Sequence, residues 1–184
     1  MELYSTHSDV SKTELVNNTG AIVYRITTEL HLSKSKTTVT RFESEDDKSD
    51  GQQPVVIAEI VWHHFDDDEI TFRGQQREAQ SFCPNHGMMA DRREFTGTSG
   101  RAYYWTESTL HTTDGVEAAR WHNRSHGIFN GHPHKAYLFI ADVEIVNDLD
   151  EIILVMVYHF TKMSEEVENV AVVLPAGVEP SKTD

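Results

Sequence analysis

The run Ile152–Tyr158, IILVMVY, is apolar at every position and narrows the possible folds more than any other feature of the chain. A segment with no polar face has to be enclosed on all sides. It falls far short of the ~20 residues that an ordinary membrane-spanning helix needs, so the expected enclosure is protein. Its flanks read two ways. Asp148, Asp150 and Glu151 before it and Lys162 after it suit the two ends of a helix dipole. Its β-branched Ile and Val residues favour a strand instead. The residues alone leave helix and strand open.

What could do the enclosing is legible upstream. AIVYRITT (21–28), TTVTRF (37–42), VVIAEIVW (55–62), EITFR (69–73), RAYYWT (101–106), VEAARWH (116–122) and YLFIADVEI (137–145) read as short strands separated by polar or glycine-containing segments. Many strands at this spacing favour antiparallel β architecture. The two-residue period puts Val56, Ala58, Ile60 and Trp62 on one core face, and Tyr137, Phe139, Ala141, Val143 and Ile145 on another. TSGR reads as a hairpin turn in which Gly100 takes a positive backbone angle. Glu43–Gly51, with five carboxylates and one lysine, reads as a surface connection and lacks the calcium-loop spacing.

The chain carries 30 acidic against 16 basic side chains, a formal charge of −14. That field repels nucleic-acid phosphate and anionic lipid, so neither a nucleic-acid partner nor adhesion to anionic membranes is expected, and the shortness of 152–158 argues against stable membrane insertion. Cys83 is the single cysteine, which excludes an intrachain disulfide. The opening MELYSTHSDVSK lacks the pattern of a signal peptide, so a cytoplasmic location is expected. Asn17-Asn18-Thr19 and Asn123-Arg124-Ser125 then read as chance glycosylation patterns.

The succession TGAIVYRITT, VVIAEIVWH, EITFRG, DRREFTGTSGRAYYW and EIILVMVYHF resembles the DUF6593 family of mushroom-forming fungi over residues 15–162. The glycine-to-YRI start at 20–26, AEIVW at 58–62, and REFTG with GRAYYW at 93–105 carry the resemblance. It implies kinship with the tubby-like and phospholipid-scramblase-like group, and with it a roughly twelve-stranded barrel around an apolar C-terminal helix. EIILVMVYHF would be that helix. The expected fold is therefore mainly β: a single antiparallel β-barrel-like domain, residues 15–171, between a flexible segment 1–14 and a flexible tail 172–184. The resemblance implies no particular activity. The resemblance to the wider group brings lipid or phosphoinositide contact into view, but such contact wants a basic surface, from which this acidic chain departs.

Chemistry-bearing residues concentrate in HNRSHGIFNGHPH, 122–134. His122 and His126 would meet if the chain stayed helical there, whereas an extended His132-Pro133-His134 points two imidazoles to one side. Three of these four rings could converge on a zinc, copper, nickel or iron ion. Asp66, Asp67 or Asp68 could complete the shell or act as a base. The competing reading is a polar loop or an imidazole network without an ion. His63 and His64 are adjacent in strand and should face opposite ways. Cys83 and His86 lack the further thiolates of a zinc signature, and no third residue completes a nucleophilic pair. Arg101, Tyr103 and Trp105 share one strand face and would line either a ligand pocket or the core. Gly97–Gly100, GTSG, is too short for a phosphate loop. The favoured function is a non-catalytic binding protein for a small ligand or protein partner. The alternative is a metal-dependent enzyme using the histidine cluster, with an open position for water or dioxygen.

Overall fold

Where β-branched and aromatic residues alternate with polar ones, the chain forms strands, and their neighbours in sequence are mostly their neighbours in space. The computed structural model describes residues 1–30, 35–42, 54–63, 66–86, 92–125 and 134–173, with 167–173 as backbone only. The strands are β1 (Glu2–Ser5), β2 (Thr13–Val16), β3 (Ile22–Leu30), β4 (Ser35–Phe42), β5 (Pro54–Trp62), β6 (Glu69–Phe72) and β7 (Gln75–Glu78). A one-turn helix α1 (Ala79–Phe82) precedes β8 (Arg92–Thr96), β9 (Ala102–Thr106), β10 (Thr109–Thr112), β11 (Glu117–His122) and β12 (Tyr137–Ile140). A 3-10 segment, Val143–Asp148, then leads into helix α2, Leu149–Val173.

The twelve strands form one antiparallel sheet in the order β7-β6-β5-β4-β3-β2-β1-β12-β11-β10-β9-β8. Every pairing is between sequence neighbours except β1 with β12, where Leu3 faces Leu138. Residues 1–14, expected to be a flexible segment, thus contribute β1 and the start of β2 to the middle of the sheet.

Closure into a barrel is corrected. Strands β7 and β8 are the two ends of the ladder and do not pair among the described residues. After β7 the chain turns into α1 instead of a hairpin. Residues just beyond α1 then take up part of the β8 edge, with Glu94 N–H donating to Pro84 O and His86 N–H to Arg92 O. At the other edge, β7 is four exposed polar residues, QQRE, a composition that discourages pairing with another chain.

The sheet nevertheless curls round α2. No residue from Ile152 to Tyr158 is more than 4% exposed. Those seven residues make almost two turns at about 3.6 residues per turn, so every side of the helix meets protein. Trp62 of β5 stacks on Tyr158, Trp105 of β9 lies 6.4 Å from His159, and Trp121 of β11 lies 6.1 Å from Phe160. The helix that the resemblance implies for EIILVMVYHF is present, and α2 extends beyond that segment at both ends. No helix of the described residues is long and apolar enough to cross a membrane. The acidic stretch Glu43–Gly51 and residues 174–184 of the expected tail lie outside the described residues.

Two core faces differ from simple alternation. In β5, Ala58, Ile60 and Trp62 are buried as expected, but Val56 is 55% exposed and Ile57 only 4%. The β4–β5 register shifts there: Val39 pairs with Ala58 and Thr40 with Val56, which leaves Ile57 as the extra residue of a bulge. A bulge inverts the parity of everything beyond it. In β12 the buried residues are Leu138 and Ile140, while Phe139 is 37% exposed. Pairing with Leu3 and Trp121 sets that choice, since both parities of this strand are apolar. Asp142 then caps the 3-10 segment, so the strand ends before Val143. Urea denaturation of single variants tests the bulge. Ile57→Ala is expected to destabilise by about 2–5 kcal/mol and Val56→Ala by less than about 1 kcal/mol. Simple alternation predicts the reverse order.

Candidate functional site

Acidic residues favour a helix N-terminus because the unpaired amides there carry partial positive charge. In this fold that preference places Asp148, Asp150 and Glu151 inside the protein, all essentially buried. Asp148 accepts hydrogen bonds from the Ser99 amide (2.7 Å), the Ser99 hydroxyl and the Tyr103 hydroxyl (2.7 Å). Burial pushes its carboxyl up, but the Ser99 and Tyr103 donors outweigh that and hold it below the usual range. Asp150 accepts from Tyr24 Oη at 2.9 Å and is paired with Arg41 at 2.8 Å and Arg73 at 3.1 Å. Glu151 Oε1 accepts from the Thr98 amide at 3.1 Å and from the Thr98 hydroxyl.

The GTSG turn therefore holds the helix's own carboxylates. Gly100 has the expected positive φ, +84°. Gly97 is required for a different reason: a Cβ there would lie 2.3 Å from Asp148 Cγ.

Beside Glu151, where the sheet stays open, is a cavity of about 270 Å³. Its walls come from the β6–β7 hairpin, α1 and the β8–β9 turn, and include Phe72, Arg73, Arg77, Phe82, Thr98 and Glu151. The Phe72 and Phe82 rings lie 5.8 Å apart. Arg73 and Gly74 both have positive φ, as a two-residue hairpin turn requires. That turn brings the Arg73 guanidinium to Asp150 and to Thr98 Oγ1 (3.0 Å). Arg77 donates to the Gln75 side chain at 2.9 Å, and no acid pairs with it among the described residues. Glu151 is 2% exposed, and its Oε2 has no hydrogen-bond partner among the described residues. A buried acceptor left unpaired costs about 1–3 kcal/mol, more when charged.

Two larger grooves, about 580 and 840 Å³, flank α2 where it leaves the sheet at the other end. Their polar groups are largely engaged with one another. Trp62 Nε1 donates to Thr37 Oγ1 at 2.8 Å, and the Thr28 and Thr37 hydroxyls are 2.7 Å apart. Asp68 accepts from the His63 amide and Tyr158 Oη and is paired with Lys162 at 2.8 Å. Burial lowers the Lys162 ammonium pKa, but Asp68 and Glu165 more than offset it.

Of the histidine cluster, the fold brings His122 and His134 to one ring. His122 stacks on Tyr137 with centroids 4.4 Å apart, and His134 meets the same ring edge-on at 5.7 Å. Paired backbone bonds between Ser125 and His134 close the intervening loop. Burial, with Arg120 and His134 nearby, lowers the His122 pKa and so favours its neutral, ligand-competent form. His126 and His132, like His64, lie outside the described residues. Asp66 is exposed, and Asp68 is engaged with Lys162 and Tyr158. No contact joins either to His122 or His134 among the described residues, where no group of three or more possible metal ligands forms.

Tyr103 and Trp105 face the core, and Arg101 pairs with Asp142 at 2.7 Å on the surface. Tyr103 does border a further space of about 350 Å³ that shares Arg77 and Phe82 with the seam cavity. Cys83 is fully buried, while His86 is half-exposed and 3.6 Å from Glu94. Sequence reasoning missed Glu151, Arg77, Phe72 and Phe82. The acids ahead of Ile152 were the available signal, but they read equally as dipole partners.

A family model described as "Family of unknown function (DUF6593)" matches residues 8–165, from between β1 and β2 to just beyond the buried part of α2. No curated protein matches the chain, and no solved structure does.

Burial pushes the Cys83 thiol up to about 12, only partly offset by Arg93. Thiolate is the reactive form, so the native protein is expected to resist a disulfide reagent at pH 8. Reaction should appear only as urea unfolds it. Rapid labelling of the folded protein would show the thiol to be accessible.

Proposed function

The chain belongs to the DUF6593 family of unknown function, and on that premise we propose a non-catalytic cytosolic protein that binds a small ligand in the seam cavity. One observation carries this reading: a buried carboxylate oxygen, Glu151 Oε2, has no partner among the described residues, and Glu151 lines the cavity. Buried polar groups are ordinarily paired, and one that is not is a natural place for a ligand. The surrounding groups orient and do not react. Thr98 fixes Oε1, the guanidiniums are donors, and the thiol is closed away. The enclosure of an apolar helix by twelve antiparallel strands supports kinship with the tubby-like group.

Thermal-shift screening of a metabolite panel tests the reading. A ligand at about 100 times its Kd should stabilise the wild type by about 2.7 kcal/mol. Glu151→Gln should lose most of that shift, with its unliganded melt as the control for folding. No stabilising compound, or equal shifts in both proteins, would overturn the proposal.

A second reading keeps the metal, because His122 and His134 flank one ring and His122 favours the neutral form. On this reading the 122–134 segment holds a transition metal such as zinc, copper or iron. Elemental analysis of protein never exposed to an affinity-column metal should then find near-stoichiometric metal that drops in His122→Ala and His134→Ala. Protein without metal that also fails to bind added zinc, copper or ferrous ion would remove this reading.

A further inference from the structure

We infer that the seam cavity takes a small zwitterion, an apolar α-amino acid, with its ammonium on Glu151 Oε2 and its carboxylate on Arg77. The inference rests on the ligand-binding reading of the cavity and adds the ligand's chemistry.

An unpaired buried carboxylate oxygen calls for a donor, and an ammonium makes the stronger, charge-assisted bond. A plain cation would meet two guanidiniums, Arg73 and Arg77, in the same small cavity. Arg73 is already committed to Asp150 and Thr98. Among the described residues Arg77 is held only by the neutral Gln75 amide, so its fork can take a carboxylate in the two-pronged geometry that guanidinium favours. A plain anion could satisfy Arg77 but would face the Glu151 carboxylate with no proton to offer. A molecule that carries both charges on one carbon offers a partner to each residue in the same cavity.

The remaining wall fixes the rest of the ligand. Phe72 and Phe82 are apolar and lie side by side, so a hydrocarbon side chain fits against them. At about 270 Å³ the cavity is slightly below the ~300–1,000 Å³ of sites for drug-sized molecules, which suits an amino acid.

Calorimetric titration of the full chain with three probes of one carbon skeleton tests this. L-Leucine carries both charges, 3-methylbutylamine only the ammonium, and 4-methylpentanoate only the carboxylate. Leucine should bind, and each half-charged probe should bind at least about tenfold more weakly, about 1.4 kcal/mol. In Arg77→Gln the advantage of leucine over the amine should vanish. In Glu151→Gln its advantage over the carboxylate should vanish. Arg77 is exposed, so its substitution keeps the test valid if Glu151→Gln folds poorly. If leucine gives no heat at ~10 mM, or the amine binds as well as leucine, the zwitterion is overturned. The cavity reading still stands in either case if a panel compound stabilises the wild type and not Glu151→Gln. If no panel compound does, both fall together.

Discussion

Three carboxylates buried at the start of α2 are the constraint on which the rest of the structure depends. A charge taken out of water is expensive unless it is paired and hydrogen-bonded. The helix cannot enter the sheet apolar run first, because Asp148, Asp150 and Glu151 go in with it. Their partners come from far apart in the chain: Tyr24 on β3, Arg41 on β4, Arg73 in the β6–β7 turn, Thr98 and Ser99 in the β8–β9 turn, and Tyr103 on β9. Only a strongly curled sheet presents all of these to one end of one helix. Gly97 follows from the same demand, since any larger residue would occupy the place of the Asp148 carboxylate.

The other end of the buried segment is held by a different combination. Asp68 receives the His63 amide and the Tyr158 hydroxyl and pairs with Lys162, while Trp62 stacks on Tyr158. Here an acid from the sheet meets a base and a phenol from the helix, the reverse of the arrangement at the N-terminal end. Between these two polar clamps the helix presents only apolar side chains. The apolar run supplies the burial energy, and the clamps fix the depth at which the helix sits.

Pairing at the N-terminal end leaves one carboxylate oxygen without a partner among the described residues. Thr98 satisfies Oε1 of Glu151, but Oε2 has no partner among the described residues, and Glu151 lines the cavity at the gap between β7 and β8. Had those two strands paired, that gap would have closed. The open seam and the unpaired oxygen are thus two aspects of one feature: the sheet ends where the chain turns into α1. The surface face of the sheet offers the other chemical grouping, His122 and His134 about Tyr137. Its geometry is that of an aromatic stack with two imidazoles in reach of one another.

Strands rich in β-branched residues, such as 21–28, 37–42 and 55–62, were legible because their composition marks them whatever they pack against. The edge strand QQRE and the short β1, β2 and β10 were not, since they form through pairing more than through propensity. The inward parity of β5 and β12 was equally hidden: a bulge at Ile57 and the register against Leu3 are set by the partner strand. Of the site, the sequence showed the acids but not their fate. By itself it determined that 152–158 would be enclosed, that strands would do the enclosing, and that Gly100 would turn the chain between two of them. Tertiary structure alone decided how far the helix runs, that the sheet stays open at β7 and β8, and that Glu151 keeps one oxygen unpaired among the described residues in the wall of a cavity that Arg77 also lines. The physical reason is that apolarity and β-propensity are properties of a residue, whereas closure and pairing belong to atoms brought together from distant parts of the chain.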